Sequence, residues 1–178
     1  RFIERAEILW EKGTNRRKFF RGEVDKYTWV DIGSSFLPSD IVAAFLYAQL
    51  ENMELINNRR QEIFDFYYKA LVPLTNAGKI RLPYVADECQ SNCHLFYILL
   101  NSENERDNLM NYLKKLGILA IFHYLPLHLS QVGRSFGYTD GQLPVTESLS
   151  SRLIRLPFYY EITKEEQKTV VDAIKGFF

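Results

Sequence analysis

Two histidines in the second half of the chain could take part in acid–base chemistry. They are His123 and His128, at the two ends of the segment HYLPLH. An apolar run over residues 118–122 precedes them and predicts a buried strand, and loops that follow strands commonly carry functional groups. Because imidazole gains and loses a proton near neutral pH, either side chain could bind a substrate oxygen or transfer a proton. The alternative is that both bond only the backbone of a proline-stiffened loop. The third histidine, His94, starts a predicted strand and is predicted to be structural.

A cationic and aromatic segment near the start of the chain runs from Arg16 to Arg21 and reads RRKFFR. Such alternation of charges with aromatic rings is typical of single-stranded nucleic-acid binding. However, Glu23 and Asp25 follow at once, and 22 Lys and Arg balance 22 Asp and Glu over the whole chain. This balance disfavours nucleic acid and acidic membranes as partners. We expect arginines that bind a small phosphate compound, with a solvated loop or a contact surface as the alternatives.

Two hydroxyl groups precede the strongest helix signal in the sequence. Gly33, Ser34 and Ser35 lie shortly before Pro38 and Ser39, where that helix is predicted to begin. The backbone N–H groups at the start of a helix carry partial positive charge, so this arrangement could bind a phosphate. The same three residues also suit an ordinary turn.

Other chemistries find little support in the sequence. Cys89 and Cys93 are the two cysteines, and their C-x3-C spacing lacks the C-x2-C pattern of zinc sites, so we predict no metal site. Reduced thiols and the absence of a targeting segment predict a cytoplasmic protein. The sequence contains no P-loop, dinucleotide-binding glycine motif, nucleophile elbow or metalloprotease helix.

The composition is that of a soluble globular domain. The chain has 178 residues, of which 47% are hydrophobic and 25% charged, so it fits one domain or one domain with a linker. No apolar run approaches the roughly 20 residues that cross a bilayer. Because the sequence begins at Arg1 within an amphipathic pattern that has no cap, we expect the chain to be a piece of a longer protein.

The first part of the chain is predicted to be mostly helical. Apolar periodicity predicts a helix over residues 2–12, followed by a packed loop, and then a long helix from the Ser39 cap to Val72, before Pro73 ends it. A straight helix of this span would be about 50 Å long, which exceeds the diameter of about 40 Å expected for such a chain. We therefore expect a bend near residues 57–58 or a projection onto another body.

The remaining sequence alternates between strand and helix patterns. A capping box, Thr163 with Glu166, predicts the start of the last helix. These elements predict an α/β domain with a small sheet of three or four strands flanked by helices. The strand patterns cover residues 80–82, 95–100, 118–122 and 153–156, and the other helix patterns cover residues 106–116 and a short segment from residue 146.

Three segments are distinctive as a set: KGTNRRKFFRGEVDKYTWVDIGSSFLPSDIVAAFLYAQLE, FHYLPLH and RLPFYYEITKEEQKTVVDAI. Together they resemble the DegT/DnrJ/StrS sugar aminotransferases, which are pyridoxal 5'-phosphate (PLP) enzymes of the fold type I, or aspartate aminotransferase-like, class. Within the family, they look most like the enzymes that aminate C4 of TDP-4-keto-6-deoxy-D-glucose. The resemblance covers essentially the whole chain.

The resemblance implies that this chain is the C-terminal portion of such an enzyme. Residues 1–38 would be the end of the large domain and a crossing loop arm, residues 39–73 a long connecting helix, and residues 74–178 the small C-terminal α/β domain. In the family, the lysine that bonds the cofactor precedes this region. The resemblance therefore implies no catalytic residue in this chain, and a chain that is inactive alone.

The resemblance also assigns roles to individual residues. The family has a Gly-x-Asn-x-Arg pattern before the long helix, and here Ser35 stands at the Asn position and Leu37 at the Arg position. Ser34 and Ser35 would therefore contact the PLP phosphate, without the arginine contact. The remaining assignments are to substrate: Tyr124, His128 and His123 beside the sugar, and Arg16 and Arg21 near the nucleotide diphosphate.

For the full-length enzyme, the resemblance implies amino transfer from glutamate through PLP to the C4 keto group, giving TDP-4-amino-4,6-dideoxygalactose, a precursor of cell-surface polysaccharide such as lipopolysaccharide or common antigen. It also implies a cytoplasmic homodimer with a shared active site. The alternative function is a free-standing small-molecule-binding or protein-interaction module built on the same α/β elements.

Overall fold

The computed structural model describes residues 2–178, which contain eight α-helices and three short β-strands. These residues form two units, residues up to Met53 and residues from Glu54 onward. The helices are α1 (Phe2–Trp10), α2 (Arg16–Phe20), α3 (Asp40–Glu51), α4 (Met53–Asn76), α5 (Glu103–Lys115), α6 (Gln131–Ser135), α7 (Pro144–Arg152) and α8 (Lys164–Phe177), and the strands are β1 (Tyr97–Leu99), β2 (Ile121–Phe122) and β3 (Leu153–Arg155).

The loop between α1 and α3 is packed through its backbone. Gly13 has a positive φ of 81°, and its carbonyl accepts hydrogen bonds from the N–H groups of Val30 and Asp31. A Cβ atom on Gly13 would lie 1.8 Å from the Asp31 carbonyl oxygen, and one on Gly33 would lie 2.0 Å from the Gly13 nitrogen. Two backbone segments therefore touch here, and only glycine allows the contact.

The predicted long helix over residues 39–72 is two helices, which corrects the sequence-based expectation. The break falls at Asn52, whose side-chain Nδ2 donates to the Ala48 carbonyl at 2.9 Å, while α4 continues without a break through residues 57–58. An Asn side chain that bonds a backbone carbonyl competes with the helical pattern. The expected start is confirmed, because the Ser39 hydroxyl accepts from the Val42 N–H.

Pro73 does not end α4, contrary to the prediction. It lies in the last turn of the helix, which continues to Asn76. A proline at that position removes one hydrogen bond near the end of the helix, and the buried residues Ile63, Tyr67 and Leu71 hold the helix on the core. Burial of this apolar face outweighs the lost bond.

The sheet confirms the α/β class and has three strands in the order β1-β3-β2. β3 is antiparallel to both neighbours, with Ile154 opposite Ile98 on one side and Phe122 on the other. The predicted strand–helix–strand unit β1-α5-β2 is present, with β3 inserted between its strands. The predicted buried strand over residues 118–122 is corrected, because β2 covers only residues 121–122 and both side chains are exposed. The predicted strand at residues 80–82 is only a single bridge between Arg81 and Leu99.

The core of the second unit lies between the sheet, α4, α5 and α8. Two buried polar contacts join its parts: Gln167 Nε2 donates to the Ile63 carbonyl at 3.0 Å, and the Tyr67 hydroxyl donates to the Pro157 carbonyl at 2.9 Å. Burial raises the pKa of Tyr67. The predicted capping box is confirmed, since Thr163 and Glu166 bond each other's backbone N–H groups.

Candidate substrate and cofactor site

His128 lies in a 3₁₀ turn, Leu127–Leu129, and is buried, with 7% of its surface exposed. Its Nε2 atom is 2.9 Å from Oε1 of Glu147, in the first turn of α7. The Glu147 carboxylate also accepts hydrogen bonds from the backbone N–H groups of Gly141, at 2.9 and 3.0 Å, and Leu143, at 3.2 Å. The hydrogen bond from His128 is the main reason why the pKa of Glu147 lies below its ordinary value.

This arrangement makes His128 a positioning residue. The His128–Glu147 pair ties the turn after Pro126 to the loop that precedes α7. His128 also lines an apolar cavity of about 650 Å³ together with Val132, Phe136 and Tyr138. The predicted contact between His128 and substrate stays a prediction, and its imidazole already has a carboxylate partner.

His123 and Tyr124 line a second cavity, of about 420 Å³, whose wall also includes Arg106 and Glu147. Tyr124 is 73% exposed. The Nδ1 atom of His123 is buried and has no hydrogen-bond partner among residues 2–178. Unlike His128, whose Nε2 is paired with Glu147, His123 therefore has a buried ring nitrogen without a partner in the described part of the chain.

Arg16 and Arg21 differ in their ion pairs with carboxylates. Arg21 forms a two-point ion pair with Glu7, at 2.9 and 3.0 Å, and a second pair with Glu23 at 2.6 Å. These carboxylates raise the pKa of Arg21. Arg16 has no ion pair within the described part of the chain; its guanidinium lies 5.2 Å from the ring centre of Phe20. Arg16 is thus the better candidate for a phosphate contact.

Ser34 and Ser35 lie on the surface of the packed loop. The Ser34 N–H donates to the Leu9 carbonyl, and Ser35 forms a β-bridge with Glu11, so backbone bonds fix both residues. Neither hydroxyl has a hydrogen-bond partner among residues 2–178. Ser39, and not Ser34 or Ser35, caps α3, so the predicted phosphate site at these two serines has exposed hydroxyls but lacks the helix end.

Sequence reasoning missed two residues of this region. Glu147 accepts the hydrogen bond from His128, and Arg155 donates Nη2 to the Phe122 carbonyl at 3.3 Å. The sequence assigned no role to either residue, because Glu147 has the position of an ordinary acidic residue at a helix start. Strand pairing that only the fold reveals brings Arg155 to residue 122.

The cysteines and the remaining histidine form no cluster. Cys89 is exposed, Cys93 is buried, and both are free thiols. The His94 ring bonds the Asn92 side chain at 2.9 Å. Within residues 2–178, no group of three metal-ligating side chains comes together. Over the same residues, no helix has both the length and the apolar character to cross a membrane.

Comparison with known families matches residues 1–175 to the DegT/DnrJ/EryC1/StrS aminotransferase family. The chain belongs to this family. Among curated relatives, it is 30% identical to the protein MJ1066 of Methanocaldococcus jannaschii over 179 residues, which is 97% of this chain and 46% of that protein. The chain therefore spans about half the length of that relative.

Solved structures agree with the family and the fold. The chain matches the S. venezuelae protein DesV with a TM-score of 0.82 at 26% identity, covering 98% of this chain and 43% of that one. It matches a DegT/DnrJ/EryC1/StrS aminotransferase from Brucella abortus with a TM-score of 0.76 at 28% identity, covering 96% and 42%. The matched fold includes PLP and pyridoxamine phosphate forms of a sugar aminotransferase from Streptococcus pneumoniae.

Pyridoxal phosphate is the cofactor of this family. The chain has residues that fit its phosphate group, since Ser34 and Ser35 present two unpaired hydroxyls on a backbone fixed by hydrogen bonds. Hydroxyl donors are suitable ligands for phosphate oxygens. The chain would supply part of a phosphate site, and the family's arginine position holds Leu37, which cannot donate.

Proposed function

We propose that the protein containing this chain is a nucleotide-sugar aminotransferase that uses PLP to move an amino group from glutamate to a keto sugar. The specific proposal is amination at C4 of TDP-4-keto-6-deoxy-D-glucose, giving TDP-4-amino-4,6-dideoxygalactose for a cell-surface polysaccharide. The match of residues 1–175 to the sugar aminotransferase family carries the class of reaction. The sequence segments around Ser35, Tyr124 and Arg155 support the particular sugar nucleotide.

Bound PLP would supply the electron sink through which an amino group moves between two carbonyl compounds. The residues of this chain would bind and orient the reactants. Ser34 and Ser35 would hold the phosphate of the cofactor. Arg16, whose guanidinium lies over the Phe20 ring and has no carboxylate partner within the described residues, would bind the diphosphate of the sugar nucleotide. Tyr124 and His123 would contact the sugar in the cavity of about 420 Å³.

His128 and Glu147 would act on the sugar indirectly. Their hydrogen bond holds the His128 end of the segment that includes Tyr124. A side chain that must meet a sugar hydroxyl within hydrogen-bond distance needs such support. We therefore expect changes at His128 to raise KM for the sugar nucleotide and also to lower stability.

The active protein is proposed to be a homodimer with a shared site. α3 contains no buried residue, and its apolar side chains Ile41, Phe45 and Leu46 are 83%, 70% and 52% exposed. Exposed apolar surface of this kind indicates contact with another protein surface. Because the relative MJ1066 is about twice as long as this chain, a segment of the same protein could also cover this face of α3.

Amino transfer with purified protein tests this function. The protein is mixed with PLP, L-glutamate and TDP-4-keto-6-deoxy-D-glucose, and 2-oxoglutarate is measured while NMR determines the configuration at C4 of the product. We expect an axial amine, as in galactose. The equatorial amine would correct the proposed product, and no 2-oxoglutarate with TDP- or UDP-linked keto sugars would reject the reaction class.

A second measurement uses the 178-residue chain alone. We expect no covalent adduct with PLP after borohydride reduction and no transaminase activity, because the resemblance places the cofactor lysine outside this chain. Mass spectrometry of the reduced chain gives the answer directly. A stoichiometric adduct at one lysine would show that the chain carries its own cofactor lysine, against the proposal.

A further inference from the structure

Arg155 holds the segment that contains His123 and Tyr124 from the neighbouring strand. It is the last residue of β3 and stands opposite Ile121 of β2. Its Nη2 donates to the Phe122 carbonyl at 3.3 Å, and its guanidinium carbon lies 5.6 Å from the ring centre of Tyr124. The side chain therefore contacts the start of the loop at two points.

The charge of Arg155 is not balanced by any carboxylate within the described residues. Its Nε atom is buried and has no hydrogen-bond acceptor. Arg59 is a useful comparison in the same unit, because it pairs with Glu62 and also donates to two backbone carbonyls. A buried guanidinium N–H without an acceptor costs free energy, which a bound anion would recover.

A second unpartnered nitrogen lies next to the same tyrosine. The rings of His123 and Tyr124 are 5.2 Å apart, and Nδ1 of His123 is buried without a partner among residues 2–178. Tyr124 thus contacts both Arg155 and His123, and it also lines the cavity of about 420 Å³. Two polar groups without hydrogen-bond partners next to one exposed ring are consistent with a bound ligand.

We propose that Arg155 and His123 bind a small oxyanion beside Tyr124. A guanidinium matches the two oxygens of a carboxylate or a phosphate, and a His Nδ1–H donates to the same kind of acceptor. The proposed function, on which this assignment of sources rests, supplies two such groups: the carboxylate of the amino donor and the phosphate of the sugar nucleotide. The exposed Tyr124 ring would shield the ion pair from water.

Calorimetric titration of the native protein tests the site without any turnover. Glutarate represents the donor carboxylates, and inorganic pyrophosphate represents the nucleotide phosphates. We expect Arg155→Gln to weaken binding of at least one of them by about 10- to 100-fold, the usual effect of losing a charge-assisted hydrogen bond. Arg155→Lys should restore part of the affinity, and His123→Gln should show a smaller loss.

Arg81→Gln is the matched control, because Arg81 is exposed on the same sheet and forms no ion pair within the described residues. Loss of glutarate binding alone identifies the donor carboxylate as the ligand, and loss of pyrophosphate binding alone identifies the phosphate. Unchanged affinity for both anions in a folded Arg155→Gln protein would overturn the proposal.

NMR of the unmutated protein tests the site even if the Arg155→Gln variant does not fold. The Nε–H resonance of Arg155, assigned from its absence in Arg155→Lys, should move on addition of the anion that calorimetry selects. A stationary resonance at saturating anion would also reject the site. Either result is independent of amino transfer, so failure of this site and failure of the proposed function can be told apart.

Discussion

Substitution of Gly33 by alanine should disorganise the loop that carries Ser34 and Ser35. The new Cβ would lie 2.0 Å from the Gly13 nitrogen and 2.5 Å from the Lys12 carbonyl carbon. Cβ atoms essentially never approach other atoms to under 3.0 Å, so the two backbone segments would have to separate by at least 1.0 Å. No side chain can move aside, because the obstacle is backbone.

The hydrogen bonds around this contact determine how much free energy the Gly33→Ala loop would lose. The N–H groups of Val30 and Asp31 donate to Gly13 at 2.8 and 3.0 Å, and Ser34 donates to Leu9 at 3.2 Å. Each such bond contributes about 1 kcal/mol, and overpacking adds about 1–3 kcal/mol. We expect local opening of the loop to become easier by about 4–6 kcal/mol.

Gly22→Ala is the matched control. Gly22 has a φ of 73°, and a Cβ there meets no atom within 4 Å, so alanine costs only the backbone strain of about 1–2 kcal/mol. PLP affinity, from the cofactor's absorbance, and limited proteolysis of residues 12–37 should distinguish the two variants. We expect about tenfold weaker PLP binding and fast cleavage in Gly33→Ala alone. Equal behaviour of both variants would refute the close contact as the cause.

Four further variants test contacts within each of the two units. His128→Leu removes a buried charge-assisted hydrogen bond worth about 1.5 kcal/mol and should lower Tm by about 3–6 °C in calorimetry; an unchanged Tm would show that the pair with Glu147 adds no stability. In Glu147→Gln, less stability should be lost between pH 7 and pH 3.5 than in the unmutated protein. His128 holds the pKa of Glu147 below its usual 4.5, so this stabilisation is present above that value and lost as pH falls through the lowered pKa; parallel denaturation curves would contradict this. Arg16→Gln should raise KM for the sugar nucleotide about tenfold, whereas Arg21→Gln should leave it nearly unchanged because Glu7 and Glu23 already hold that guanidinium; steady-state kinetics showing the reverse order would reject the choice of Arg16.

Local signals in the sequence predicted the starts of helices well where a side chain caps its own helix. Ser39 and the pair Thr163 with Glu166 act within a few residues, so their spacing alone is sufficient. The break at Asn52 was missed because the apolar pattern continues across it. The prediction at Pro73 was wrong because the core contacts that hold the last turn of α4 come from distant parts of the chain.

The candidate site was harder to predict because its hydrogen bonds connect distant residues. The HYLPLH segment identified the right loop, but the sequence could not show that His128 is paired with Glu147, nineteen residues later. The sequence assigned no role to Arg155, since its nearness to Phe122 depends on the pairing of β2 with β3. Likewise, RRKFFR shows three arginines alike, and only the contacts distinguish Arg16 from Arg21.

The order of the strands has a consequence for synthesis of the protein. Within residues 2–178, β3 is the last strand and the central strand of the sheet; β2 pairs only with β3, and β1 has one further partner, the bridge from Leu99 to Arg81. A ribosome that has made residues up to Arg152 has therefore produced two edge strands with nothing between them. Unpaired strands are prone to associate with other chains, so a nascent chain that stalls before Leu153 would be vulnerable to aggregation. The sheet can form only after β3 has emerged.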